Sequence, residues 1–317
     1  VNVYVVGAGA VGRYLGEALR ETGATVAYAP RRLEDVVAVE ADLAIVAVKS
    51  YDTPAAVETL RRALAPAADA TILTPQNGVG NEELLAAAFG ADRVVACALT
   101  VPLERAGGGA RAAARGGIAL APVGSVAHNW LVAAFERTAI PVRVSSDYRA
   151  LKWSKLALNV IANASCAILD VLPERLVRMP PAFSLEIRAI RETRAVMAAL
   201  GLASVDLPRY PVRALQGIVA LPMPLAKLLL SSRIAGARGR KPPSLLLDLR
   251  AGKGRTEVEV LSGAVAAAGR AAGVPVPVNT AFARVLTDIA QMPQLWAKYR
   301  ERPAALAAEV EAEERRA

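Results

Sequence analysis

The first twelve residues constrain this chain more than any others. The strand-like run Val1–Val6 leads straight into Gly7-Ala8-Gly9-Ala10-Val11-Gly12, and Arg13–Glu21 reads as a helix opening directly behind it. Strand, glycine turn and helix in that order predict the first βα unit of a dinucleotide-binding sheet; GxGxxG without that context would carry little. Each glycine has a task. Gly7 makes the tight turn, Gly9 lets backbone approach a pyrophosphate, and Gly12 lets the helix pack closely on the strand. The helix start points N–H groups and the positive end of its dipole at the phosphates. A glycine-rich turn in some other α/β protein is the competing reading, and the flanking elements favour the nucleotide. The cofactor-binding set at this turn is therefore Gly7, Ala8, Gly9, Ala10, Val11 and Gly12.

The next strand selects the dinucleotide. Thr25–Ala29 has strand character, and an NAD site places a carboxylate at its end, for the ribose 2′-hydroxyl. Here Pro30-Arg31-Arg32 follows, with no carboxylate before Glu34. Two guanidiniums suit a 2′-phosphate, which they hold by charge-assisted and often bidentate hydrogen bonds. The expected cofactor is NADP(H), held by Arg31 and Arg32, against the alternative of a solvated basic turn.

The rest of the N-terminal half keeps alternating. Strands are expected at Asp42–Val48, Ala70–Leu73, Val94–Val101, Gly117–Ala121 and Pro141–Ser145. Helices are expected at 53–64, from Asn81, and near 126–138. Residues 107–117 read as a β-turn connection. After Ser146 the segments 147–170, 183–200, 210–232, 256–273 and 278–289 all have helical periodicity, and 304–317 reads as a frayed surface helix. The predicted fold is α/β: a doubly wound Rossmann-type domain over 1–146, then an all-helical domain over 147–317.

Composition removes several classes of function. Hydrophobic residues make up 54% and charged ones 21%, so the chain is globular, not disordered. His128 is the only histidine, and Cys97 and Cys166 lie in apolar segments without ligand spacing, so no metal site is expected and both thiols read as core residues. The net charge of +9 is spread along the chain without interleaved aromatics, which argues against nucleic acid and suits an anionic cofactor and substrate. No apolar run is long enough to span a bilayer; Gly217–Leu230 is interrupted by Pro222, Pro224 and Lys227. No membrane partner and no leader peptide are expected, a cytoplasmic location is, and the apolar helical half leaves room for a homodimer.

Chemistry concentrates in the second half. Lys155, Asn159 and Asn163 stand at i, i+4 and i+8 in an apolar segment, so one continuous helix would stack them on one face. Either they satisfy one another and nearby backbone, or they point at a ligand. Ser244 and Glu257 form a second set. Thr256 can cap a helix with Glu257 in its first turn; alternatively Glu257 accepts a substrate hydroxyl and Ser244 donates to a carboxylate. Lys49 and Asn77 follow strands, where a doubly wound sheet places ligand contacts. An exposed lysine and a turn asparagine are their plainer readings.

Taken together, GAGAVG at 7–12, VAVKSYDT at 46–53, QNGVGNEE at 76–83, KWSKLALNVIAN at 152–163 and the stretch from Ser244 through DLRAGKGRTEVEVLSG to Asn279 resemble the ketopantoate reductase (2-dehydropantoate 2-reductase) family over nearly the whole length. The resemblance implies a Rossmann-type domain followed by a 6-phosphogluconate dehydrogenase-like helical domain. It implies reduction of 2-dehydropantoate to (R)-pantoate with NADPH, a step toward pantothenate and coenzyme A. By the same resemblance Lys155 is the general acid, and Asn159 and Asn163 are substrate-orienting amides. Ser244 contacts the substrate carboxylate, Glu257 lies near the nicotinamide ribose and the substrate hydroxyl, and Asn77 and Lys49 are cofactor-side contacts, Asn77 also bordering the substrate. Arg31 corresponds to the 2′-phosphate contact. The chain departs from the family in a shortened 33–41 segment, in the absence of an amide at Val171-Leu172-Pro173, and in a Ser244–Glu257 spacing one residue longer. Those departures keep two alternatives in view: a paralogous NADPH-dependent reductase of another branched 2-oxo acid, and a non-catalytic NADP(H) sensor.

Overall fold

The computed structural model describes residues 1–65, 69–106, 109–236 and 242–316. They form two compact units, Val1–Lys152 with Val205–Pro211, and Trp153–Ser204 with Val212–Ala317. The division falls inside a helix, later than the residue 146 expected from the change in periodicity, and the returning segment 205–211 carries no sequence signal of its own.

The first unit holds a seven-stranded sheet. Its strands are β1 (Asn2–Val6), β2 (Thr25–Tyr28), β3 (Leu43–Val46), β4 (Thr71–Thr74), β5 (Val94–Leu99), and, after the hairpin β6 (Leu103–Ala106) and β7 (Gly109–Ala112), β8 (Ile118–Pro122) and β9 (Val142–Val144). The order is β2-β1-β3-β4-β5-β8-β9, parallel except where β8 runs against β5. The expected β-turn connection at 107–117 contributes β7, while residues 107–108 lie outside the described residues.

Alternation along the central strands buries both faces. Val3, Val5, Leu43 and Ile45 pack with Leu15 and Leu19 of α1 (Ala10–Glu21) and with Leu131 and Phe135 of the later helix Asn129–Glu136. Tyr4, Val6, Ala44 and Val46 pack on the opposite face with Leu60 of α2 (Thr53–Ala63) and Leu85 of α3 (Asn81–Phe89). Two covered faces are what a parallel sheet requires. The order reverses direction between β1 and β3, so ligands are expected at the carboxyl ends of those strands.

The second unit is helical. The helix expected over 147–170 is broken in two, α4 being Asn129–Glu136, α5 Tyr148–Val160 and α6 Ala164–Leu169. Ala162 adopts a positive φ of 47°, which no helix interior tolerates. The segment 210–232 also divides, into Val212–Ala220 and Met223–Gly236, because Pro222 cannot continue the helix. The C-terminal segment is not frayed. Pro303–Glu314 buries Leu306 and Val310 and packs on Pro277–Gln291, with the Arg284 guanidinium bonded to Glu309 at 2.8 Å and Glu313 at 2.9 Å.

Candidate active site

The glycine turn has distinct requirements at each position. Gly7 sits at φ +105°, and a Cβ there would lie 2.6 Å from the carbonyl carbon of Ala47, just past β3. A Cβ at Gly12 would lie 2.1 Å from the Gly7 carbonyl oxygen, so this glycine is demanded by helix–turn packing. At Gly9 a Cβ would meet no protein atom within 4 Å. Protein packing leaves Gly9 unconstrained, which fits a bulky group approaching from outside the chain. Gly9 also begins α1 without a side-chain cap, and no acidic residue stands in the first turn. The first-turn N–H groups and the dipole are then suited to a phosphate. Ala8 is exposed, and Ala10 and Val11 are half-buried beside it.

Arg31 and Arg32 follow β2, and both are exposed; Arg32 reaches Glu34 at 3.4 Å. Lys49 is half-buried where β3 gives way to a turn of 3-10 helix, and Asn77 is half-buried just beyond β4. Parallel pairing of β1, β3 and β4 brings the glycine turn, Lys49 and Asn77 to one edge of the sheet.

A buried polar network holds that edge in shape. Ser50 Oγ donates to the Asn77 carbonyl at 2.9 Å, and Asn81 Nδ2 donates to the same oxygen at 3.2 Å. Thr53 Oγ1 donates to Asn81 Oδ1 at 2.8 Å, and Gln76 Nε2 donates to the Val48 carbonyl at 3.1 Å. Beneath it, Lys152 Nζ donates to the Gln76 carbonyl at 2.5 Å and lies 2.8 Å from Glu82 Oε1, with side-chain exposures of 2% and 1% for the ion pair. Burial pushes the Glu82 carboxyl above the ordinary carboxylate range, against the opposing pull of the Lys152 ammonium. Sequence reasoning missed this pair. A lysine and a glutamate seventy residues apart look like two surface charges until the fold buries both.

In the second unit, Lys155 and Asn159 are half-buried one turn apart on α5, as the spacing predicts. Asn163 is not the third member of that helix face. The chain leaves the helix after Val160, and Asn163 instead precedes α6, 3% exposed. Its Nδ2 donates to the Asn159 carbonyl at 3.1 Å, and its Oδ1 accepts the Leu245 N–H at 3.2 Å. The amide thus ties the end of α5 to the helix Ser244–Arg250, whose first residue, Ser244, is exposed. Glu186, fully buried on the helix Pro180–Ala199, accepts the Ala162 N–H at 2.6 Å and the Ser165 hydroxyl at 2.5 Å. It fixes the helix break from below, and nothing in the local spacing announces it. Glu257 is buried at the start of a 3-10 turn, and Thr256 caps that turn by accepting the Val258 N–H at 3.4 Å.

The remaining expectations concern absences. Cys97 and Cys166 are both buried, and His128 precedes the helix Asn129–Glu136 with Nδ1 3.3 Å from the Thr71 hydroxyl. Among the described residues no group of histidine, cysteine and carboxylate side chains could hold a metal, and no helix is long and apolar enough to cross a membrane.

Two family models match the chain: "Ketopantoate reductase PanE/ApbA" over residues 27–124 and "Ketopantoate reductase PanE/ApbA C terminal" over 147–290. A 2-dehydropantoate 2-reductase of Halobacterium salinarum is 34% identical over 81% of this chain and 78% of its own length. One of Pyrobaculum aerophilum is 30% identical over 75% and 73%. Among solved structures, a PanE/ApbA family ketopantoate reductase from Ralstonia eutropha JMP134 superposes with a TM-score of 0.76 at 29% identity, covering 93% of this chain and all of that one.

Proposed function

This chain belongs to the ketopantoate reductase family, a family of nicotinamide-dependent oxidoreductases, and we propose that it reduces 2-dehydropantoate to (R)-pantoate with NADPH. The observation that carries the reading is the half-buried pair Lys155 and Asn159 on α5, in a chain that also has the Gly7–Gly12 turn.

The nicotinamide, when bound, supplies a hydride. The chain's own residues do the rest. Gly7 to Gly12 present backbone and helix dipole to the pyrophosphate, and Arg31 and Arg32 carry the charge that suits a 2′-phosphate. Lys49 and Asn77 line the same sheet edge. Lys155 polarises the C2 carbonyl of the substrate and transfers a proton from Nζ to its oxygen, completing the alcohol. A lysine suits this step because its ammonium stabilises the developing alkoxide before it gives up the proton. Asn159 orients the substrate, Ser244 donates to its carboxylate, and Glu257 accepts a hydroxyl. Asn163 acts differently from the first expectation: its bonds to Asn159 and Leu245 set the position of the two substrate-facing segments.

The test is NADPH oxidation over a panel of 2-oxo acids that includes ketopantoate. Ketopantoate should give the highest kcat/KM, and Lys155→Ala should lower kcat about 10²–10⁴-fold. Higher kcat/KM on another branched 2-oxo acid would establish the paralogue reading, which the missing amide at Val171-Leu172-Pro173 favours. No turnover of any member would leave a sensor.

A further inference from the structure

We propose that Arg13 is a cofactor-recognition residue, a second cationic contact to the 2′-phosphate beside Arg31. The inference rests on the NADP(H) reading above.

Arg13 is the fourth residue of α1, immediately behind the glycine turn. A cation in the first turn of a helix opposes the macrodipole, whose positive end lies there, and carboxylates are the residues that favour that place. This helix has no acidic residue in its first turn. An arginine so placed is best accounted for by an anion that is not part of the chain.

Its side chain is also aimed. Nε donates to the Ala8 carbonyl in the glycine turn at 3.1 Å, and the guanidinium carbon lies 5.6 Å from the centroid of the Tyr28 ring in β2. These contacts hold the plane between the turn and the end of β2, where the adenosine ribose is recognised in this type of sheet. Glu17, one helical turn on, is bonded to Arg20 at 2.5 Å and to the Tyr28 hydroxyl at 3.1 Å. Among the described residues no carboxylate is paired with Arg13 within 4.0 Å; Glu17, whose carboxyl is held low first by Arg20, feels the Arg13 charge only as a smaller effect. The bond to Ala8 uses Nε, so the two terminal nitrogens keep the fork geometry that matches a phosphate monoester. The pyrophosphate, by contrast, is served by the backbone N–H groups of the turn itself. Tyr28 precedes Arg31 by three residues, so the two arginines approach the same sheet corner from the helix and from the strand end.

The test is direct binding of NADPH and NADH, which differ by the 2′-phosphate alone. Binding is followed by nicotinamide fluorescence without any 2-oxo acid, on the wild type, Arg13→Gln and Arg31→Ala. Arg13→Gln should weaken NADPH binding about tenfold and leave NADH within about twofold, with Arg13→Lys intermediate because it keeps charge and loses the fork. Equal loss for both cofactors would overturn the proposal and assign Arg13 to the pyrophosphate or to folding. So would unchanged NADPH binding in Arg13→Gln when Arg31→Ala is impaired; the cofactor reading would then stand. A wild type that binds NADH as tightly as NADPH would overturn the cofactor reading, and Arg13 with it.

Discussion

Replacing Lys152 by Met removes the ammonium from the most completely buried ion pair described. Lys152 and Glu82 are so little exposed that solvent cannot screen the loss. Two groups are then left without their donor. The Glu82 carboxylate becomes an uncompensated buried charge, a class of defect that costs about 3–5 kcal/mol. It can escape by taking up a proton, which at pH 7 against the ordinary 4.5 costs about 3.4 kcal/mol, so that figure is the ceiling for the charge. The Gln76 carbonyl loses the donor it holds at 2.5 Å, adding about 1 kcal/mol. The expected loss at pH 7 is therefore at most about 4.4 kcal/mol. The sign of the pH dependence follows. Glu82 has its folded pKa raised, so in the variant the penalty is full at high pH and is relieved as pH falls toward the ordinary carboxylate value. The deficit should narrow between pH 7 and pH 5, by less than about 1.36 kcal/mol per pH unit, because burial already raises the wild-type carboxyl and that protein shares part of the relief. Urea unfolding by circular dichroism measures it, with amide exchange in β4 and α3 reporting on the first unit. A companion Lys152→Met, Glu82→Leu variant should recover most of the loss, since an apolar pair has no charge to strand. A deficit below about 1 kcal/mol, or one that widens on acidification, would refute the reasoning.

Three other outcomes are expected. Gly12→Ala should disrupt the first unit, because its Cβ would sit 2.1 Å from a backbone oxygen, whereas Gly9→Ala should unfold at the wild-type temperature and lose dinucleotide binding. Wild-type cofactor affinity in a folded Gly9→Ala protein would contradict the role given to that position. Glu186→Gln should destabilise the second unit by about 1.5–3 kcal/mol, the range for hydrogen bonds to a charged group, and raise KM for the 2-oxo acid more than it lowers kcat; an unchanged KM with the stability loss would mean a purely structural role. At the C-terminal helix, burial pushes Glu309 up, but bonds from Lys298, Arg284 and Tyr299 outweigh it and hold the carboxyl at about 2, below the ordinary 4.5. Its contribution is present above that ordinary value and lost as pH falls toward about 2, so the Tm difference between wild type and Glu309→Gln should be full at pH 7 and shrink across that window. A difference constant from pH 7 to pH 2.5 would argue against it.

The sequence by itself determined the elements and the residue patterns that depend on neighbours in the chain. The strand–turn–helix at Gly7–Gly12, the arginines after β2 and the Lys155–Asn159 spacing are all local patterns. Periodicity and positional steric rules operate within a few residues, so they can be read from a line of letters. What failed were places where distant side chains override a local preference. The apolar run from Tyr148 to Leu169 reads as one helix, but Glu186, more than twenty residues on, accepts the Ala162 N–H and stabilises a backbone turn that local propensity disfavours. That break moves Asn163 off the lysine face and makes it a tie between α5 and Ser244–Arg250. The tail has helical composition but owes its packed position to Arg284, and the shape of the Asn77 edge depends on Lys152 and Glu82 meeting out of water. Buried charges and buried backbone groups must find partners wherever the fold supplies them. Which partner that is depends on tertiary packing, and spacing along the chain carries no record of it.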